Sequence, residues 1–222
     1  STWNAENKFT GWVNVDLSEK GVMEAEKSGK LIKDLNINID YFFTSYLIRA
    51  FRTLSIISEI NNFPKTELVK AWQLNERHYG NLTGLNKEET KKKVGEITFK
   101  NYRRSWDISP PPIEQDNPNI KLFGKENLEV IKKKVIKSES LKDTYKRVIP
   151  YYEKVIEPYL EENKNILICA HGNSLRALVM HIEAISPDEI VKKEIATGEP
   201  IFYKVKNVDI LKKLKSYLKT FI

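Results

Sequence analysis

Apolar residues recur at three- and four-residue steps from Val22 through Ala25, Gly29 and Ile32 to Leu35. This spacing predicts a helix with one buried face, opened by Ser18 as N-cap. Ile39-Asp40-Tyr41-Phe42-Phe43 is aromatic and β-branched and stops at polar Thr44-Ser45, which predicts a strand and turn before a second helical pattern over 47–60. A short strand over 68–72 leads into Leu74-Asn75-Glu76-Arg77-His78-Tyr79-Gly80, which has neither period and reads as a structured loop. Asn86 with Glu89 three residues on forms a capping box, and the polar helix it opens is interrupted at Gly95 before Tyr102-Arg103-Arg104.

Residues 109–122 carry Pro110-Pro111-Pro112 and Asn117-Pro118 and predict an irregular surface excursion or lid. Leu141, Tyr145, Val148, Tyr152, Ile156 and Tyr159 then mark a long helix that Pro150 and Pro158 kink or divide. The wholly apolar run 165–170 predicts a central parallel strand covered on both faces, running into His171-Gly172-Asn173-Ser174 and a helix from about Leu175. Ser186-Pro187-Asp188-Glu189 opens a further helix with Pro at its first position, and 201–205 predicts a last strand. Strands alternating with helices imply a three-layer α/β/α sandwich with a mainly parallel central sheet. Residues 1–222 are expected to form a single domain, with the excursion at 109–122 and a basic tail at 206–222.

Charge sharpens this picture. Lys and Arg number 37 against 30 Asp and Glu, a net +7. Residues 201–222 hold six lysines and one aspartate, so most of the excess sits in the tail. The basic runs Lys91-Lys92-Lys93 and Lys132-Lys133-Lys134 lie in polar helical stretches and read as solvated faces, so nucleic acid is not an expected partner. No stretch approaches the roughly 20 apolar residues of a membrane span. Cys169, the single cysteine, lies in an apolar run and reads as an inert thiol of a reducing compartment, so a cytoplasmic protein is expected. Paired-cysteine metal spacing, a Walker loop and a dinucleotide fingerprint are all missing, which disfavours hydride transfer and nucleoside-triphosphate chemistry.

In an open α/β sheet ligands bind beyond the carboxyl ends of the strands. Two such ends carry capable residues, Thr44-Ser45 with Arg49 and His171-Gly172-Asn173-Ser174. Gly172 permits close backbone approach, the following helix offers free N–H groups and His171 adds an imidazole, together an anion site. By itself, a lone histidine at a strand end is more often structural. Arg49, Arg77, Lys87, Arg103 and Arg104 are candidates for gripping oxyanions or for plain surface ion pairs. Glu76 is a candidate general acid or base, or half of a salt bridge. His181, spaced helically from Leu178 and Ile182, reads as structural.

Ser1-Thr2-Trp3-Asn4, Phe9-Thr10-Gly11-Trp12, Thr44-Ser45 with Arg49-Ala50, Leu74 to Gly80, Gly84-Leu85-Asn86-Lys87, Arg103-Arg104-Ser105, Glu139-Ser140-Leu141, His171 to Leu178 and Thr197-Gly198 occur in this order. Together they resemble the cofactor-dependent phosphoglycerate mutases of the histidine phosphatase superfamily, from Ser1 to about Val205. The resemblance implies that a phosphorylated histidine and 2,3-bisphosphoglycerate interconvert 2- and 3-phosphoglycerate, with no metal and in a homodimer or homotetramer. It implies that His171 and Arg49, with Gly172 and Asn173, cradle the transferring phosphoryl group, and that Glu76 exchanges a proton with the substrate hydroxyl. Ser1, Thr2, Trp3, Asn4, Thr10, Gly11, Arg77, His78, Tyr79, Lys87, Arg103 and Arg104 are implied to bind the substrate. Ser1 and Thr10-Gly11 look like the mutase rather than the related bisphosphoglycerate synthase.

The family carries Arg-His-Gly-Glu on a strand directly before the position of Ser1, and that histidine is the phosphorylated one. It is not among these 222 residues, and His78, His171 and His181 match other family positions. An incomplete record of a longer protein is the expectation, because the remaining site residues keep matching spacings. A nucleophile-less phosphoglycerate-binding relative, or a synthase or phosphatase of the same superfamily, is the alternative. The Lys-rich end, with Ile210, Leu211, Leu214 and Leu218, differs from the family's tail, which helps close the site.

Overall fold

The computed structural model describes residues 1–64 and 68–204. Helix α1 (Thr2–Ala5) precedes α2 (Glu19–Asp34), and the chain then enters β1 (Tyr41–Thr44). It continues through α3 (Ile48–Asn61), β2 (Leu68–Lys70), α4 (Lys87–Val94), α5 (Glu96–Arg104) and α6 (Lys125–Lys134). Helix α7 (Leu141–Tyr151), a π-turn at Tyr152–Ile156, α8 (Glu157–Glu161), β3 (Ile166–Cys169), α9 (Gly172–Ile182) and α10 (Pro187–Ile190) follow.

The three strands are parallel in the order β2-β1-β3. Side chains alternate across them as a period of two requires. Tyr41, Phe43, Ile166 and Ile168 pack on one face with Tyr145 and Val148 of α7 and Ala177 to Met180 of α9. Phe42, Leu167 and Cys169 pack on the other with Leu54 of α3, against which α2 lies. Helices therefore cover both faces, and the three-layer expectation holds. The central position expected for 165–170 is corrected: β1 is flanked on both sides, and β3 lies beside it, half-buried. An apolar run reports helices on both faces of a strand, not its place in the strand order.

Local signals are realised where they are chemical. The Ser18 hydroxyl accepts from Gly21 N–H, Asn86 Oδ1 from Glu88 and Glu89 N–H, and Ser186 Oγ from Glu189 N–H. Pro150 lies inside α7, which passes into the π-turn, and Pro158 stands in the first turn of α8. Leu35, expected on the buried face of α2, is exposed just past its end. Residues 201–204 form no strand: Ile201, Phe202 and Tyr203 are exposed, and the Tyr203 hydroxyl donates to Glu183 Oε1 at 2.6 Å. The basic tail at 206–222 lies outside the described residues.

The proline-rich segment is a strap fastened along its length rather than a free excursion. Asn81 N–H donates to Pro111 O (2.8 Å), Ser138 Oγ to Pro110 O (2.6 Å), Ile113 N–H to Lys137 O (2.9 Å) and Asn119 Nδ2 to Thr83 O (3.0 Å). Proline supplies no N–H, so the prolines are held through their carbonyls while Ile113 and Asn119 supply donors. At Gly80 (φ +56°) a Cβ would stand 2.0 Å from Pro111 O. Gly80→Ala is therefore expected to lower stability by about 2 kcal/mol or more in urea unfolding and to open the 109–122 strap to limited proteolysis.

Candidate active site

The loop from Trp72 to Gly80 has no periodicity because its carbonyls are bound by side chains from other elements. Arg147 of α7 is nine-tenths buried, and its Nη1 donates to Gln73 O (2.6 Å) and Asn75 O (3.1 Å) while Nη2 donates to Glu76 O (3.0 Å). Glu139 neutralises it through Nε–Oε1 (2.6 Å) and Nη2–Oε2 (2.9 Å), and the same carboxylate accepts from His78 N–H (2.8 Å). Trp12 Nε1 also donates to Glu76 O. A buried ion pair thus ties one loop to two segments, satisfying groups that would otherwise be orphaned.

That clamp presents the Glu76 side chain to α9. Glu76 Oε1 accepts from Arg77 N–H (2.7 Å), Asn173 N–H (3.3 Å) and Asn173 Nδ2 (2.9 Å), while Oε2 takes no hydrogen bond among the described residues. Asn173 Nδ2 also reaches the Tyr79 hydroxyl (3.3 Å). One carboxylate oxygen is held and the other is available to exchange a proton.

Opposite lie His171 and Arg49. His171 Nε2 is 2.7 Å from Ser45 Oγ, which also accepts from Leu47 N–H (3.1 Å), so the β1 and β3 ends named from sequence do converge. Burial first, then Arg49 and Arg147, hold His171 well below the usual imidazole range, so the ring is neutral. Arg49 donates to Val13 O and Gly11 O, both at 2.8 Å, and burial lowers its pKa to about 10 against the opposing pull of Glu76 and Tyr79. Gly11 (φ +50°) brings its backbone close to Tyr79, where a Cβ would stand 3.3 Å from Tyr79 N. Thr10 Oγ1 donates to Asn4 Oδ1 (3.3 Å), and Ser1 Oγ caps α1 by accepting from Asn4 N–H (3.4 Å). Thr2 and Trp3 lie on α1, Trp3 packing against the Trp12 cluster.

The remaining cations line the mouth. Arg77 is fully buried, stacked 4.7 Å over the Tyr79 ring, and Nη2 donates to Tyr102 O and Arg103 O, both at 2.9 Å. Its Nε and Nη1 have no hydrogen-bond partner among the described residues. Arg77, Arg103, Arg104, Asn173 and Arg176, with Leu141 and Val191, line a recess too closed to admit a water molecule. The Lys87 pKa is lowered by burial and by Arg103, with Glu76 opposing. Arg77, Arg103, Arg104 and Arg176 thus form one cationic cluster beside the Glu76 carboxylate that Asn173 holds.

Residues 1–121 and 114–201 match the histidine phosphatase superfamily (branch 1). A 2,3-bisphosphoglycerate-dependent phosphoglycerate mutase from Pelagibacter ubique is 49% identical over 201 residues, 90% of this chain and 84% of that protein. One from Zymomonas mobilis is 46% identical over 218 residues, 98% of this chain and 94% of that protein. The chain belongs to the 2,3-bisphosphoglycerate-dependent phosphoglycerate mutase family. Among solved structures, a phosphoglycerate mutase from Bacillus anthracis superposes with a TM-score of 0.59 at 19% identity, covering 82% of this chain and 75% of that one. A mycobacterial glucosyl-3-phosphoglycerate phosphatase gives 0.62 at 16% identity, covering 85% and 77%. These two likenesses speak for the fold.

Against the family's site, His78 stands apart. It is wholly buried between Trp12 and Phe123, and its Nδ1 accepts from Gly80 N–H (3.0 Å), so its side chain shapes the loop from inside the core instead of facing the recess. His181 is buried against Tyr145 and Tyr152, as its helical spacing implied. Arg147 and Arg176 escaped sequence reasoning. Both stand on amphipathic helices among apolar neighbours, and a charge at a buried helical step is the one signal that marks them.

Burial lowers the His78 pKa to about 4. Between about pH 6.5 and 4 the unfolded chain binds protons that His78 and His171 refuse when folded, so stability falls as pH falls, by up to about 1.4 kcal/mol per unit and per histidine. Urea unfolding from pH 7 to 4.5 is expected to show this slope, reduced by one histidine's share in His78→Gln. Glu139→Ala, which strands the buried Arg147 charge, is expected to cost roughly 3–5 kcal/mol in the same measurement.

Proposed function

We propose that this chain interconverts 2- and 3-phosphoglycerate as a cytoplasmic mutase, acting as a homodimer or homotetramer. The observation that carries the reading is the Glu76 carboxylate, one oxygen held and one free, hydrogen-bonded to Asn173, which with Arg77, Arg103, Arg104 and Arg176 lines a cationic recess. A substrate bearing a carboxylate and phosphates needs several fixed cations, and the orphaned Nε and Nη1 of buried Arg77 fit such an anion. 2,3-Bisphosphoglycerate would supply the phosphoryl group that charges the enzyme.

Within that reading each residue has a task. Glu76 Oε2 takes the proton of the attacking substrate hydroxyl and returns it when the oxygen leaves; Oε1 is already committed to three N–H groups, so the exchange is confined to one atom. His171, Arg49, Gly172 and the Asn173 backbone stabilise the equatorial oxygens of the transferring phosphoryl group, where charge is spread in the transition state. Keeping the ring neutral lets it donate without repelling Arg49. Thr10, Gly11, Tyr79, Lys87, Arg77, Arg103 and Arg104 orient the carboxylate and distal phosphate, with Ser1 to Asn4 shaping that wall. No metal enters the chemistry.

The expected outcome is 3- to 2-phosphoglycerate turnover in an enolase-coupled assay, dependent on 2,3-bisphosphoglycerate, by the protein expressed from its own gene. Glu76→Gln should lower kcat by roughly 10²–10⁴ with KM little changed. Turnover that survives this substitution, or that ignores 2,3-bisphosphoglycerate, overturns the reading.

A further inference from the structure

The recess mouth contains a carboxylate the proposed reaction does not use. Glu194, just beyond α10, meets Arg104 Nη2 through both oxygens (2.7 and 3.1 Å) and lies 3.7 Å from Arg176 Nη2. Its side chain is 73% exposed, whereas that of Arg176 is 6% exposed, so the carboxylate sits on the solvent side of two inward-facing guanidinium groups. Arg176 is otherwise fixed from within, Nε donating to Lys193 O (3.0 Å) and Nη1 to Asn173 Oδ1 (3.1 Å). The segment bearing Glu194 is anchored on either side, by Lys193 on Glu183 and by Ser28 Oγ donating to Gly198 O (2.8 Å).

We propose that Glu194 is an internal competitor for the anion site, an affinity-determining residue whose carboxylate occupies Arg104 and Arg176 until a phosphoglycerate displaces it. This rests on the mutase reading and adds a residue to it. Three observations converge. The recess is too closed to admit even a water molecule, so an incoming anion must move something. Arg77, Arg176 and Asn173 are held by buried or part-buried hydrogen bonds, and the exposed glutamate is the piece that leaves at least cost. Arg176 is also destabilised by burial and by Arg104, with Glu194 among the opposing charges, so an unliganded site needs an anion there and a liganded one does not. One carboxylate keeps the guanidinium groups apart and ordered in the empty site, at the expense of affinity.

Calorimetric titration with 3-phosphoglycerate tests this on wild type, Glu194→Gln, Glu59→Gln and the pair Glu194→Gln with Arg104→Met. Glu59 is exposed near the end of α3 and controls for net charge alone. Glu194→Gln is expected to bind roughly 1.5- to five-fold tighter, the range of one exposed ion pair. Glu59→Gln should match wild type, and the double variant should lose the gain. Unchanged or weaker binding in Glu194→Gln overturns the proposal, as does an equal gain in Glu59→Gln. If wild type binds and only this pattern fails, the mutase reading stands; if no variant binds, both fall.

Discussion

The site depends on one buried ion pair. Arg147 and Glu139 neutralise each other in the core, and their spare donors and acceptors hold three carbonyls of the 72–80 loop and the His78 N–H. Beyond one 3-10 turn at Trp72–Leu74 the loop has little regular hydrogen bonding of its own, so its course is the one that satisfies this pair. Because α7 is rigidly packed against α9 through Tyr145, Val148 and Met180, the same pair fixes Glu76 relative to Asn173 and His171. A charge-assisted pair is costly to bury and earns its place by defining a single loop geometry.

A second regularity concerns how the cations are kept. Arg49 and Arg77 are held chiefly by backbone carbonyls, Val13 and Gly11 for the first and Tyr102 and Arg103 for the second. Carbonyl dipoles orient a guanidinium without cancelling its charge, so the positive potential remains for a ligand. Arg104 departs from this rule by meeting a full carboxylate, and that departure lies at the solvent-facing edge where a ligand would enter. Deep cations are preorganised and the outer one is gated by an opposite charge.

Much of this was legible in the chain. Helix starts at Ser18, Asn86 and Ser186 carry their own chemistry, and caps are local enough to read directly. The aromatic and β-branched run Ile39 to Phe43 foretold a strand, and the wholly apolar run 165–170 foretold helices on both faces. The order of strands was not legible, since hydrophobicity reports coverage and not neighbours. Residues 201–204 have strand composition but no partner strand among the described residues, and their aromatic content is spent on Tyr203 reaching Glu183. His78 misled for a related reason. Its motif places it beside Glu76 in sequence, while the turn at Gly80 rotates its ring into the core.

The sequence by itself determined the layer architecture, the helix boundaries with caps, and the set of charged types gathered in few motifs, because periodicity and capping act over a few residues. Tertiary structure alone decided which oxygen of Glu76 is free, which histidine faces Ser45 and which faces Trp12, and that Glu194 lies across Arg104 and Arg176. Those outcomes depend on contacts between residues up to 126 positions apart, such as Ser45 with His171, whose energies are set by burial and angle rather than by neighbours in the chain.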